Sequence, residues 1–318
     1  MAVKAKGRWI SIAGLLALSF LWSLGPLRSD LFPHSAQGPP PQFESEAVQF
    51  ALLALVAGTF ALARRVPWSR GREIRVCILV GLGLFAAPDI LVYAADGIVS
   101  SLTRVALFSL TPVFAVVLEP YWGTDSRPPA KAGLTGALIA VLGTLCVFPL
   151  AVPASIGAGA AFAGLILAAA LVAAANCAAV RMASHHSSEP IAPMAAIAGA
   201  TAAVALALAG AFTPHATSDW ADLAHADSLA WLWLALVPLP GLLLLFWLLR
   251  RMSAAAMTTR YLLAPLMAIV VEIALMRPAV SSLTWLGLLL IAAGAGWLAL
   301  DPGERTQPDP LPLNLNRE

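Results

Sequence analysis

Residues 100–119 read SSLTRVALFSLTPVFAVVLE, and a related stretch, SAAAMTTRYLLAPLMAIVVE, occupies residues 253–272. Aligned from their first serines, the two stretches share a proline, an alanine, a valine and a final glutamate at the same positions. Each is about 20 residues long and apolar, as a helix that crosses the hydrocarbon core must be. Each also holds an arginine, Arg104 or Arg260, although a charge at the centre of a span costs about 2.5–3.5 kcal/mol. A repeated membrane helix is therefore predicted, with a charge that needs an explanation.

The composition of the whole chain agrees with a membrane setting. Of the 318 residues, 60% are hydrophobic and only 11% are charged, whereas about 25% of residues are charged in a typical soluble domain. Mean hydropathy is +0.83. We therefore predict an all-α integral membrane protein, with the lipid bilayer as its permanent surroundings.

Runs long enough to cross a bilayer recur along the chain, and we predict ten transmembrane helices from them. They lie near residues 9–27, 46–63, 76–95, 98–118, 131–149, 156–180, 191–212, 229–249, 253–275 and 283–300. The first run follows basic residues, as in a signal peptide. Since no small-residue cleavage motif ends it and many spans follow, we interpret it as the first transmembrane helix.

The distribution of basic residues predicts an orientation. If the N-terminus is cytoplasmic and the chain crosses ten times, every Lys and Arg falls in a cytoplasmic segment except Arg28, Arg104, Arg260 and Arg277. Cytoplasmic loops of membrane proteins carry this excess of positive charge. The expected location is therefore a plasma membrane, with the bacterial inner membrane favoured, and with both termini in the cytoplasm.

The two related stretches divide the chain into two repeats of five helices, at residues 1–150 and 151–300, followed by a polar cytoplasmic tail at 301–318. Gly136 and Gly143 have counterparts in Gly287 and Gly294, which supports the division. Because five is odd, the second repeat enters the membrane from the opposite side, which makes the repeat inverted. In secondary transporters with such repeats, the substrate site lies near the bilayer midplane between the two halves.

These features resemble the EamA-like proteins of the drug/metabolite transporter superfamily. The resemblance rests on the ten spans in two halves, on the Pro-x-x-Ala helices that begin at Pro112 and Pro265, and on Trp22-Ser23 in the first span. It implies a ten-span transporter, and by analogy an exporter of amino acids or their derivatives. The chain departs from the family where Gln49-Phe50 replaces a frequent Arg-Phe pair and Met276-Arg277 replaces a frequent Gly-Glu pair.

Arg104 has a candidate partner on the preceding helix. Asp89 and Arg104 are equally far from the turn at Asp96-Gly97, so a rise of about 1.5 Å per residue places both roughly 11 Å below that turn. We expect them to pair. The pair is either a structural salt bridge or a proton-linked element of the translocation path.

Arg260 has no such acidic partner in the sequence. A guanidinium that faces a water-filled cavity suits a substrate carboxylate or phosphate, because its donors form a fork of matching geometry. The alternative is that the side chain extends along its own stem toward the cytoplasmic surface.

Further residues are expected around the two arginines. Ser100 and Thr111 share the Arg104 face of the fourth span. Pro112 and Pro265 should kink their helices and free carbonyl groups at mid-depth. Other candidates for the cavity lining are Trp22, Asn176 and Tyr261, with packing or the membrane interface as the alternative for the aromatic pair and a hydrogen bond to a neighbouring helix as the alternative for Asn176.

Two other sets of residues receive structural assignments. Glu119 and Glu272, which end the two related stretches, are expected mainly at the membrane interface, with proton coupling as an alternative. Small residues permit close helix packing in membranes. We expect that role for Gly133, Gly136, Gly143, Gly287, Gly294 and Gly296.

The sequence also argues against several functions. The cysteines and histidines do not stand at metal-ligand spacings, and the chain has no Walker motif or glycine-rich nucleotide loop. We therefore expect no metal, no cofactor, no nucleic-acid partner and no enzymatic activity. The oligomeric state stays open, with a monomer among the possibilities.

A secondary transporter is the function favoured by the intramembrane charges. Two arginines against one aspartate within the spans favour an anionic or zwitterionic small molecule, moved by alternating access around a cavity between the fourth and ninth helices. Phosphorylated metabolites or nucleotide sugars are the alternative substrates. A scaffold or accessory subunit that does not transport is the alternative class of protein.

Overall fold

The computed structural model describes residues 2–25, 42–122, 131–148, 150–151, 153–185, 191–212, 228–276 and 281–300. Nearly all of these residues are helical, and none of them is in a β-strand. The predicted all-α class is therefore confirmed. The tail at 301–318 and the loop at 28–41 lie outside the described residues.

Helical segments follow one another along the chain, and we label them α1 to α10. The first five are α1 (Ala2–Ser23), α2 (Gln42–Ala63), α3 (Arg72–Gly81 and Ala87–Ala94, joined by the π-helical turn Leu82–Ala86), α4 (Ser101–Phe108 and Thr111–Trp122) and α5 (Lys131–Val147). The next five are α6 (Ile156–His185), α7 (Ala192–Ala211), α8 (Ser228–Leu236 and Pro238–Leu249), α9 (Ala254–Thr258 and Arg260–Met276) and α10 (Ser282–Leu300).

Eight of these segments in the described part of the chain are long and apolar enough to cross a membrane. The other two, α1 and α5, contain the shorter apolar helices Gly7–Ser23 and Lys131–Val147. Large apolar side chains such as Trp9, Leu55 and Leu289 point outward and are about two-thirds exposed, at 65%, 65% and 66%. An outer surface of this kind is stable only against lipid. The protein is therefore a multi-pass membrane protein.

Glycines bring α5 and α10 into close contact. A Cβ added to Gly143 would lie 2.7 Å from the carbonyl oxygen of Gly287, and a Cβ added to Gly287 would lie 2.7 Å from the carbonyl oxygen of Gly143. Gly136 and Gly294 face each other in the same way about two helical turns away. The expectation for Gly296 is wrong, because a Cβ there would meet nothing within 4 Å. On α10, the glycines that form the crossing are therefore Gly287 and Gly294.

Helices α4 and α9 are both interrupted within the membrane. In α4 the break at Ser109-Leu110 directly precedes Pro112, whose ring removes a backbone donor to the Phe108 carbonyl; the hydroxyl of Thr111 donates to that carbonyl at 2.7 Å instead. In α9 the break is at Thr259, and Pro265 lies inside the continuous segment Arg260–Met276. The interruption in α9 therefore stands one residue before Arg260.

Candidate functional site

The side chain of Arg260 lies in the interior of the helix bundle. It is 0% exposed and is the largest fully buried side chain of the described residues. The helix restarts at Arg260 after the break at Thr259, and helical side chains point toward the N-terminal end of their helix. The guanidinium is thereby directed back across the interruption in α9.

Three hydrogen bonds hold this guanidinium. Nη1 donates to the side-chain oxygen of Asn176 at 3.1 Å and to the carbonyl oxygen of Met257 at 3.0 Å, and Nη2 donates to the hydroxyl of Tyr261 at 3.3 Å. The Met257 carbonyl is available beside the break in α9. None of these acceptors is a carboxylate, so every hydrogen bond of Arg260 goes to an uncharged group.

Asn176 is positioned on α6 to receive Arg260. Its amide is 0% exposed, and its nitrogen donates to the carbonyl of Val172 one turn earlier at 2.7 Å. This bond occupies the donor end of the amide, so the oxygen end faces the guanidinium. The hydrogen-bonding alternative predicted for Asn176 is what the structure contains, with Arg260 as its partner on a neighbouring helix.

Aromatic rings cover the guanidinium. Its central carbon lies 4.9 Å from the ring centre of Trp22 on α1 and 4.7 Å from that of Tyr261. The Trp22 and Tyr261 rings meet edge to face at 6.0 Å, and Phe108 of α4 lies 6.0 Å from Tyr261. A cation over an aromatic face is attracted by the ring quadrupole, and more strongly in a desolvated setting. The rings therefore offset part of the cost of burying the charge.

The binding capacity of Arg260 is not exhausted by these contacts. A guanidinium has five N–H donors, and Nε is buried without a hydrogen-bond partner among the described residues. With three donors used, Nε–H and one Nη2–H remain. Nε and Nη2 share one edge of the planar group, and this edge has the geometry that binds two oxygens of a carboxylate or phosphate.

Asp89 and Arg104 do not pair, contrary to the prediction. Arg104 Nη2 bonds to Asp96 at 2.9 Å, with the two side chains 22% and 63% exposed. Equal depth did not fix the pairing because both side chains lean toward the start of their own helix. For Arg104 in the first turn of α4, that direction leads to the turn and Asp96. For Asp89 in α3, it leads deeper into the bundle.

Asp89 instead meets an acidic residue that the sequence analysis did not select. Its carboxyl group lies within hydrogen-bonding reach of Glu46 on α2, and it is also close enough to Tyr261 to interact electrostatically. Glu46 was missed because the second span was predicted to begin at residue 46. The helix begins at Gln42, which places Glu46 one turn inside it. Asp89, Tyr261 and Arg260 therefore form one polar region.

The remaining candidates lie away from Arg260. Ser100 is exposed at the start of α4, where its hydroxyl accepts from the backbone N–H of Thr103 at 3.3 Å. Thr111 is buried and bonds within α4. Of the predicted substrate-binding residues, the structure brings together Trp22, Asn176, Arg260 and Tyr261. Asp89 is near enough to Tyr261 to interact electrostatically, whereas Arg104, Ser100 and Thr111 make their hydrogen bonds outside this group.

Comparison with known proteins supports the fold alone. No protein-family model matches the chain, and no curated protein matches it. Among solved structures, the crystal structure of a protein superimposes with a TM-score of 0.69 at 19% sequence identity, over 91% of this chain and 98% of the other. The architecture is therefore shared over nearly the full length of both chains, while the function must be argued from the site.

Proposed function

We propose that the protein is a secondary transporter that binds a small anionic or zwitterionic metabolite at Arg260. The observation that carries the proposal is a fully buried arginine whose hydrogen bonds all go to neutral groups. A buried charge without a counter-ion lowers stability, and ionisable groups inside the membrane usually serve a function. A substrate carboxylate or phosphate would supply the missing negative charge.

The architecture we propose is ten spans in two inverted repeats, residues 1–150 and 151–300. The packing supports it: α2 packs against α7 and α5 against α10, and α4 packs on α6 as α9 packs on α1. If the helices of the two proposed repeats are exchanged, the α2–α7 and α5–α10 pairs stay the same, and the α4–α6 pair becomes the α9–α1 pair. Ser100 and Ser253 also cap α4 and α9 in the same way: each hydroxyl accepts a hydrogen bond from the backbone N–H three residues later.

The arrangement suggests how alternating access would work. Arg260 lies between α1 and α6 and is carried by α9, so its contacts come from both repeats. Since Trp22 and Tyr261 cover the guanidinium, these rings must turn aside before a ligand reaches Nε and Nη2. Rocking of one repeat against the other would provide that movement. The site would then bind substrate in one state and release it on the other side.

The location in the cell is the next part of the proposal. We propose a plasma-membrane location with both termini cytoplasmic, no enzymatic activity and no cofactor, on the charge distribution and motif content of the sequence. An exported amino acid or derivative is the first candidate substrate. Among the described residues, no group of three His, Cys, Asp or Glu side chains could hold a metal ion.

The test is a thermal-shift screen of the purified protein against amino acids, other carboxylates, sugar phosphates and nucleotide sugars. A ligand that binds only the folded state raises the apparent melting temperature by mass action. We expect one anionic or zwitterionic class to stabilise the wild type and to lose this effect in Arg260→Ala. Arg104→Ala is the matched control and should retain the stabilisation, because Arg104 is partly exposed and ion-paired.

Uptake or efflux of the responding ligand is then measured in proteoliposomes. Transport by the wild type that is absent with Arg260→Ala supports the proposal. Two outcomes contradict it: binding that survives Arg260→Ala, or binding without transport, which would favour an accessory or sensing role. A response to phosphorylated compounds alone would change the proposed substrate class but would leave Arg260 as the proposed binding site.

A further inference from the structure

The starts of α4 and α9 are each capped by a serine but have different surroundings. Ser253 accepts a hydrogen bond from Ala256 N at 3.2 Å, and Ser100 accepts one from Thr103 N at 3.3 Å. The next residues differ: Ala254 is 0% exposed, whereas Ser101 and Leu102 are exposed, the latter at 50%. One helix start is sealed and its counterpart is open.

Glu119 seals the start of α9. Its Oε1 accepts a hydrogen bond from Ala254 N at 3.1 Å, and its Oε2 accepts one from Ala255 N at 3.4 Å. These are the free N–H groups at the start of α9 that the Ser253 hydroxyl does not satisfy, and carboxylates are stabilised there. The bonds join the end of α4 in the first repeat to the start of α9 in the second.

Glu272 is the counterpart of Glu119 in the repeat, but it has no such contact. It is exposed, and no hydrogen bond joins it to Ser101 or Leu102, all three being described residues. The second half of α9 is also not closely packed on the start of α4, whereas the second half of α4 is closely packed on the start of α9. One end of the bundle is therefore closed by a glutamate at a helix start, and the other end is open.

We propose that Glu119 and Glu272 are alternating clamps, each closing one end of the bundle by binding the start of the other repeat's helix. The structure is the state in which the Glu119 clamp is closed, and in the opposite state Glu272 accepts from Ser101 N and Leu102 N. This inference rests on the proposed alternating access. In the proposed topology, the closed end is cytoplasmic and the open end is extracellular.

Both glutamates lie near the ends of their helices, and the clamp adds a mechanical role to the interfacial position expected for them. The exchange leaves the number of glutamate hydrogen bonds unchanged, because one clamp forms its two bonds when the other loses them. Removal of one carboxylate charge should therefore shift the balance between the two states instead of unfolding the protein. Hydrogen bonds to a charged group are strong enough to shift such a balance about tenfold.

The experiment uses two matched reporter variants, Ala254→Cys and Ser101→Cys, each in a background where Cys77, Cys146 and Cys177 are replaced by alanine. The rate of reaction with a polar maleimide reports the exposure of each helix start. In the parent, the reporter at 101 should react rapidly and the reporter at 254 slowly. With Glu119→Gln, we expect the rate at 254 to rise about tenfold and the rate at 101 to fall.

Glu272→Gln is the matched control and should act in the opposite direction, lowering the rate at 254. If Glu119→Gln is not recovered as folded protein, Glu119→Asp retains the charge but shortens the reach, and should give a smaller shift of the same sign. Unchanged rates at both reporters, or rates that rise together, would overturn the clamp. Because labelling needs no substrate, its failure is distinct from a failure of ligand binding at Arg260.

Discussion

Helices α4 and α9 occupy corresponding places in the two halves, yet their arginines are in different surroundings. Arg260 is fully buried among Asn176, Trp22 and Tyr261, whereas Arg104 is partly exposed and bonded to Asp96 near a turn. When the related stretches are aligned from their serines, Arg260 falls opposite Leu107, which is also buried. The first half therefore has an apolar side chain where the second has a charge.

This difference teaches that helices of related sequence and similar backbone can hold their charges in opposite surroundings. Both helices start after a capping serine and both are interrupted, α4 at residues 109–110 and α9 at residue 259. The buried cation and its amide partner belong to the second half alone. The contrast agrees with the proposed single substrate site at Arg260, while Arg104 is bonded locally to Asp96 at the turn.

Arg260→Lys should have the largest effect. An ammonium cannot bond Asn176, Met257 and Tyr261 in one plane and still present two parallel donors to a ligand. We expect the dissociation constant of the responding ligand to rise about a hundredfold, measured by isothermal titration calorimetry. Arg104→Lys should leave it unchanged. Equal losses in both variants would mean that the two arginines share the site.

Gly143→Ala tests the close crossing of α5 and α10. The new Cβ would meet the backbone of Gly287 and Ile291 at 2.7 Å, and overpacking of this kind costs about 1–3 kcal/mol. Gly287→Ala should cost a similar amount, since the crossing is reciprocal. Gly296→Ala is the control, because nothing lies within 4 Å of the added carbon. Thermal unfolding in detergent measures all three, and a stable Gly143→Ala protein would refute the close crossing.

Asn176→Ala separates positioning from binding. The substitution removes one of the two acceptors of Arg260 Nη1 but no group that is expected to touch the ligand. We expect ligand affinity to fall about tenfold, the value of roughly one hydrogen bond to a charged group. Asn176→Gln, which keeps the amide, is the comparison. If affinity is unchanged in Asn176→Ala, the amide does not orient Arg260.

Asp96→Asn should have the smallest effect. The pair with Arg104 is 2.9 Å long, but Asp96 is 63% exposed, and exposed ion pairs contribute less than about 1 kcal/mol. We expect little change in the melting temperature and none in ligand affinity. A marked loss of binding would show that the first-half arginine matters to the substrate after all, and the contrast between the halves would fail.

Much of the fold could be predicted because the membrane leaves few alternatives. Apolar runs of sufficient length must form helices there, and the glycines of α5 and α10 indicated close packing without showing which helices meet. Gly296 could not be assigned in this way, because its direction around α10 depends on which face meets α5. Eight helices reach spanning length in the described residues, since Gly7–Ser23 and Lys131–Val147 are shorter than the apolar runs suggested.

The site was only partly predictable. Arg260 was identifiable because a charge in an apolar run lowers stability, and such a residue usually has a function that explains its presence. The partner of Arg104 was predicted wrongly, because depth was used without the direction of the side chains. Glu46 was missed because the start of α2 was placed one turn late.

The sequence by itself determined that the chain forms apolar helices, that residues 100–119 and 253–272 are similar and that two arginines interrupt the apolar runs. These properties depend on local composition and spacing, which solvation in lipid translates directly into structure. Only the tertiary structure decided that Asn176, Trp22 and Tyr261 surround one arginine, and that Glu119 holds the start of a helix 135 residues later. Such contacts depend on how helices rotate and pack against one another, which no single segment specifies.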